Sequence, residues 1–199
     1  MKMTLVVSTV LLASAALAAD IPPPDVQIAA AILAAPPELR QDATVIGFNP
    51  EGKQVRIREG KNELICLADD PVKPAFEVDC YHKDLEPFMA RGRELHAMKK
   101  SKEAIDSTRL RDVRTGRYSM PSKPAALFQY FAPRDSVDAG TGAVRAAQYL
   151  YVVYTPYATG ASTGISETPV EGGPWIMNPG KPWAHLMIAP QKTATVTLK

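Results

Sequence analysis

The chain has 199 residues, with 23 Lys and Arg against 21 Asp and Glu, a formal net charge of +2. That near-balance lacks the strong basic excess of a nucleic-acid binder. Its length allows one domain with a substantial core. Eighteen prolines and twelve glycines point to many turns and short strands.

The first 19 residues have the pattern of a cleavable export signal. Lys2 supplies a positive start, an uncharged Leu-, Val- and Ala-rich run follows from Thr4 to Leu17, and Ala16-Leu17-Ala18 is a small-x-small cleavage site. The run is shorter than the roughly 20 residues that span a bilayer. Residues 20–199 are then the mature, water-soluble domain, in the periplasm or secreted, with no transmembrane segment after cleavage. No cysteine follows the cleavage site to carry a lipid. In an oxidising compartment the only two cysteines, Cys66 and Cys80, are expected to form a disulfide.

Asp25 as an N-cap and the Ala-rich stretch behind it predict a short helix over 25–35. Three β-prone segments follow (43–48, 54–58 and 63–68), separated by Asn49-Pro50-Glu51-Gly52 and Glu59-Gly60-Lys61-Asn62, so a meander is expected. A fourth short strand covers 75–80. The period then changes: Leu85, Phe88, Gly92 and Leu95 recur every three or four residues, predicting an amphipathic helix from about 83 to 99. A weaker helix is expected over 101–116. Strands are predicted at 126–131 and 148–154, with a polar loop between them. The Thr-, Ser-, Gly- and Pro-rich stretch 155–174 reads as irregular, and short strands at 175–177, 185–188 and 193–198 complete the chain. Strands come in runs rather than alternating with helices. The expected fold is therefore α+β, a mostly antiparallel sheet with one main amphipathic helix.

Three patterns bear on chemistry. His82 and Glu86, four apart at the predicted helix start, with the distant His185, could give a zinc ion three ligands and an open position for water; a metal-dependent hydrolase is the alternative reading. The full His-Glu-x-x-His motif is absent. Gly160-Ala161-Ser162-Thr163-Gly164 matches the nucleophile-elbow pattern, yet the residues after it do not start a helix and too few remain for a hydrolase sheet. Trp175 and Trp183, each preceded by proline, flank an Asn-Pro-Gly turn beside the hydroxyl-rich 155–168 segment. Rigid aromatics beside hydroxyls suit a small ligand or an envelope protein partner. The leading expectation is a non-catalytic binding domain, needing no cofactor, with Tyr157, Ser162, Trp175 and Trp183 as contacts. Residues 91–117 also carry nine Lys or Arg against four Asp or Glu, a local excess that reads first as a solvated helix face and only second as a match for an anionic surface.

The stretch from Ile65-Cys66-Leu67-Ala68-Asp69-Asp70-Pro71 to Cys80-Tyr81-His82 and Leu85-Glu86-Pro87-Phe88, and the later Gly172 to Ile188, resemble a group of exported bacterial proteins without an assigned function. The resemblance implies one domain outside the cytoplasm and brings no catalytic residue with it.

Overall fold

The computed structural model describes residues 21–138, 143–170 and 172–190. The proposed signal and the predicted strand at 193–198 lie outside them. Eight strands form one sheet: β1 (Thr44–Phe48), β2 (Gln54–Arg58), β3 (Leu64–Leu67), β4 (Ala75–His82), β5 (Ala125–Pro133), β6 (Gln148–Tyr154), β7 (Trp175–Met177) and β8 (His185–Ile188). Their order is β2-β1-β3-β4-β5-β6-β8-β7. Every pairing is antiparallel except β1 with β3. The α+β fold with a mostly antiparallel sheet is therefore as expected.

The parallel pair corrects the expected meander. After the β1–β2 hairpin the chain does not add β3 beside β2. Residues 59–63 cross the start of β1 and place β3 on its other edge, with Val45 opposite Cys66. The crossing is held by the amides of Lys61 and Asn62, which both donate to the Asp42 carbonyl (2.7 and 3.0 Å). Gly60 makes the close pass possible and donates its N–H to the Thr44 hydroxyl at 3.1 Å. The physical reason is burial. Leu64, Ile65 and Cys66 are all buried, whereas β2 is exposed or half-buried throughout. The apolar strand takes the inner position and the polar one the edge.

Alternation along the strands gives each face of the sheet its own core. On the first face, α1 (Pro24–Ala31) and the 3-10 turn after it lay Ala31, Ala34 and Ala35 on Val45, Leu64, Cys66, Val78 and Cys80. The predicted 25–35 helix is thus an α-helix that tightens in its last turn. Gln27, buried among these side chains, donates to the Phe48 carbonyl (2.9 Å) and accepts from the Phe48 amide (2.7 Å). Cys66 and Cys80 face each other across β3 and β4 and are joined by a disulfide, as expected.

On the second face, α2 (Glu86–Ala97) and α3 (Lys102–Arg114) cover Ile65, Tyr81, Val152 and Tyr154. Phe88, Gly92 and Leu95 are the buried positions of α2, the same stripe that the sequence periodicity picks out. The helix stops where Lys99 turns to a positive φ of 54°. Ser101 then caps α3 by accepting from the Ala104 amide at 3.3 Å. Between the two helices, Arg91 pairs with the buried Asp112 at 2.7 Å. Arg109 lies with its guanidinium 4.0 Å from the Phe88 ring centre and donates to the Phe88 carbonyl. No helix among the described residues is long and apolar enough to cross a membrane.

Candidate functional site

The three residues considered as zinc ligands do not converge. His82 is the last residue of β4 rather than a helical position, so its four-residue spacing to Glu86 sets up no shared helix face. It pairs in register with Leu64 and so faces the first core, while His185 pairs with Tyr154 and faces the second. Three strand steps also separate β4 from β8, about 14 Å at the usual spacing. Each group has other partners. The His82 Nδ1 accepts from the Asp84 amide (3.3 Å). His185 lies 2.8 Å from the Trp183 carbonyl with its ring against Tyr154, and burial lowers its pKa. Glu86 accepts from the Tyr81 hydroxyl (2.5 Å) and pairs with Arg93 (2.7 Å). Among the described residues no group of three His, Cys, Asp or Glu side chains is placed to hold a metal ion.

The nucleophile pattern folds as one short turn, α4 (Gly160–Thr163), ended by Gly164 at a φ of 73°. The Ser162 hydroxyl accepts from the Thr159 amide at 3.0 Å and donates to the Thr159 carbonyl at 3.1 Å. It is a capping group, because serine and threonine at this spacing satisfy the free amides of a helix start.

The tryptophan surface needs correcting as well. Trp183 is 6% exposed and stacks on Phe88, with ring centres 5.9 Å apart. It is a core residue because the Asn178-Pro179-Gly180 turn sends the chain back under β6. There, the Ala184 carbonyl accepts from the Thr155 amide at 2.9 Å. Trp175 lies half-buried in the edge strand β7, its indole N–H enclosed and without an acceptor. Tyr157 is the exposed aromatic of the predicted set, 58% accessible. Its φ of 64° is unusual for a non-glycine residue. The bond from its amide to the Lys181 carbonyl (2.9 Å) holds it there.

Tyr157 stands at the mouth of a cleft of about 810 Å3. One wall is the loop from Gly116 to Pro124 that links α3 to β5, and the other is the Thr155–Tyr157 turn after β6. Arg117 and Lys123 lie on the lining, and among its described residues no carboxylate does. Ser119, Ser122, Thr155 and Tyr118 add hydroxyls, and Met120 and three prolines add apolar surface. The Tyr118 hydroxyl is buried without a hydrogen-bond partner, and burial raises its pKa. Of the nine cations in residues 91–117 only Arg117 lines this cleft, and Lys123 lies beyond that stretch, so the sequence carried no local signal for it.

A second cleft of about 710 Å3 runs between the C-terminal half of α2 and the end of the sheet where β1 and β3 finish and β4 begins. Its lining includes Asp79, which sequence reasoning passed over as one polar position in a strand. Asp79 is enclosed on the second face, beside Leu67 and Gln129. Its Oδ1 has no hydrogen-bond partner. Burial, and secondarily Glu77, push its carboxyl up to about 7, against smaller opposing effects of Lys73 and Gln129. The loop on this cleft's rim is clamped by Arg134, which pairs with Asp69 and donates to the carbonyls of Asp70 (3.1 Å), Lys73 (3.0 Å) and Ala75 (2.6 Å).

No family model, curated protein or solved structure matches this chain.

Proposed function

We propose that this is an exported, non-catalytic binding domain of the periplasm or the extracellular space, and that it holds a small anionic ligand between residues 116–124 and 155–157. The observation that carries the reading is the first cleft's one-signed lining, Arg117 and Lys123 with no opposing carboxylate among the described residues. Tyr157, held in a strained conformation at the mouth, offers a ring face to an apolar or sugar-like portion of the ligand. The disulfide and the signal-like start support export. An envelope protein carrying a phosphate or carboxylate group would satisfy the same lining.

The test is isothermal titration calorimetry of the mature protein with inorganic phosphate, a hexose phosphate and citrate. Removing a charge-assisted hydrogen bond costs about 1.5–3 kcal/mol, so an Arg117→Ala/Lys123→Ala variant should bind roughly 10- to 100-fold more weakly. Equal binding by wild type and variant, or no heat with any of the anions, would remove this reading.

A further inference from the structure

We propose that the second cleft binds a small zwitterion, an amino acid or short peptide, with its ammonium group on Asp79. The lining carries unmatched charges of both signs. Asp79 presents a carboxyl whose Oδ1 no protein donor reaches. Lys53, from the β1–β2 turn, and His96, near the end of α2, line the same cleft without an ion-pair partner among the described residues. Of the other charges, Lys73 pairs with Glu77 (3.3 Å), Arg93 with Glu86 (2.7 Å) and Glu94 with Arg91 (2.6 Å), while Asp70 on the rim accepts from the Val72 amide at 3.2 Å. A ligand with an ammonium and a carboxylate fits what remains, its carboxylate taken at the Lys53 and His96 side. Phe48, Leu67 and Ala97 offer apolar surface to a side chain.

The enclosure of Asp79 gives this site a pH signature. Glu77 and Lys73 face it from its own strand and the turn before it. Arg93, Glu94 and His96 of α2, Lys53 of the hairpin turn and Asp70 of the rim loop line the same cleft. Gln129 on β5 donates to it, and the Tyr154 hydroxyl of β6 lies within electrostatic range. With its carboxyl titrating at about 7, the free protein holds a proton there through much of the acid range. An ammonium group needs the carboxylate, so binding expels that proton. The ionised fraction rises about tenfold between pH 6 and 8, and affinity should rise with it. The ammonium form of the ligand persists across the interval, so the net rise belongs to Asp79.

The experiment is a thermal-shift screen of the mature, disulfide-bonded protein against the standard L-amino acids at about 10 mM, a concentration that detects even millimolar affinity. The best responder is then titrated calorimetrically at pH 6 and 8 in two buffers of different ionisation enthalpy. The proposal expects a several-fold gain in affinity at pH 8 and proton release on binding. It also expects at least tenfold loss with the N-acetylated ligand and with Asp79→Asn, a variant checked for an unchanged or higher melting temperature. Binding must survive in Arg117→Ala/Lys123→Ala, which separates this cleft from the first one and lets either reading fail alone. No response to any amino acid would overturn the proposal. So would equal affinity of Asp79→Asn, or equal binding of the corresponding alkylamine, which lacks the carboxylate.

Discussion

Replacing Gly60 with alanine tests the crossing that sets the sheet order. A Cβ built on Gly60 would lie 2.2 Å from the Thr44 nitrogen, 2.4 Å from the Ala43 carbonyl carbon and 2.5 Å from the Asp42 oxygen. Carbon contacts settle near 3.5–4.0 Å, and every atom in the way is backbone, so no side chain can swing aside. The two segments must part by roughly 1 Å or more. That stretches three hydrogen bonds: from the amides of Lys61 and Asn62 to Asp42, and from Gly60 to the Thr44 hydroxyl. At about 1 kcal/mol each, with about 1–3 kcal/mol of packing strain, the expected loss with partial relaxation is about 3–5 kcal/mol. For a chain of this size each kcal/mol lowers the melting temperature by about 2–4 °C. Gly60→Ala should therefore melt about 6–20 °C below wild type in a two-state thermal scan. Gly116→Ala is the control: its Cβ meets nothing within 4 Å, but its φ is 71°, so it should lose only about 1 kcal/mol. If Gly60→Ala melted with wild type, the close crossing over β1 would be wrong, and with it the parallel β1–β3 pair.

Removing the disulfide with Cys66→Ala/Cys80→Ala frees a loop of fourteen-residue separation. It should cost about 3 kcal/mol, read as a lower urea midpoint. Asp112→Asn leaves the mostly buried Arg91 guanidinium with only Glu94 as a charged partner among the described residues. It should destabilise by about 2–4 kcal/mol, without a change in the urea m-value. Asp79→Asn should act in the opposite direction and depend on pH. The carboxyl titrates near 3.9 when unfolded and at about 7 in the fold. Between those values the folded state holds the extra proton, so wild-type stability falls as pH rises from about 4 to about 7. The variant lacks that loss. It should match wild type near pH 4 and exceed it by on the order of 2–4 kcal/mol at pH 8, and equal melting at both pH values would refute the enclosure of Asp79.

The sequence by itself determined most of the elements, because they depend on short-range periodicity. Leu85, Phe88 and Leu95 mark α2 through their three- and four-residue spacing, and alternation or turn residues bound all eight strands to within two residues. The β4 strand continues to His82, beyond its expected end, because Tyr81 pairs with Leu127 of β5 and His82 with Leu64 of β3. The Cys66–Cys80 bond followed from there being only two cysteines. Tertiary structure decided everything that depends on which strand lies beside which and which face a residue takes. The buried β3 displaced the polar β2 to the edge, so the parallel pair was set by competition for the interior rather than by any turn. One strand face separated His82 from His185, a difference that composition and spacing do not carry. Trp183 went under β6 onto Phe88, and Tyr157, left outside by the same turn, became the aromatic of the cleft. Asp79 looked like one polar residue in an alternating strand. Only the docking of α2 over that face enclosed its carboxyl, since desolvation is a property of the neighbours that folding brings and not of the residue itself.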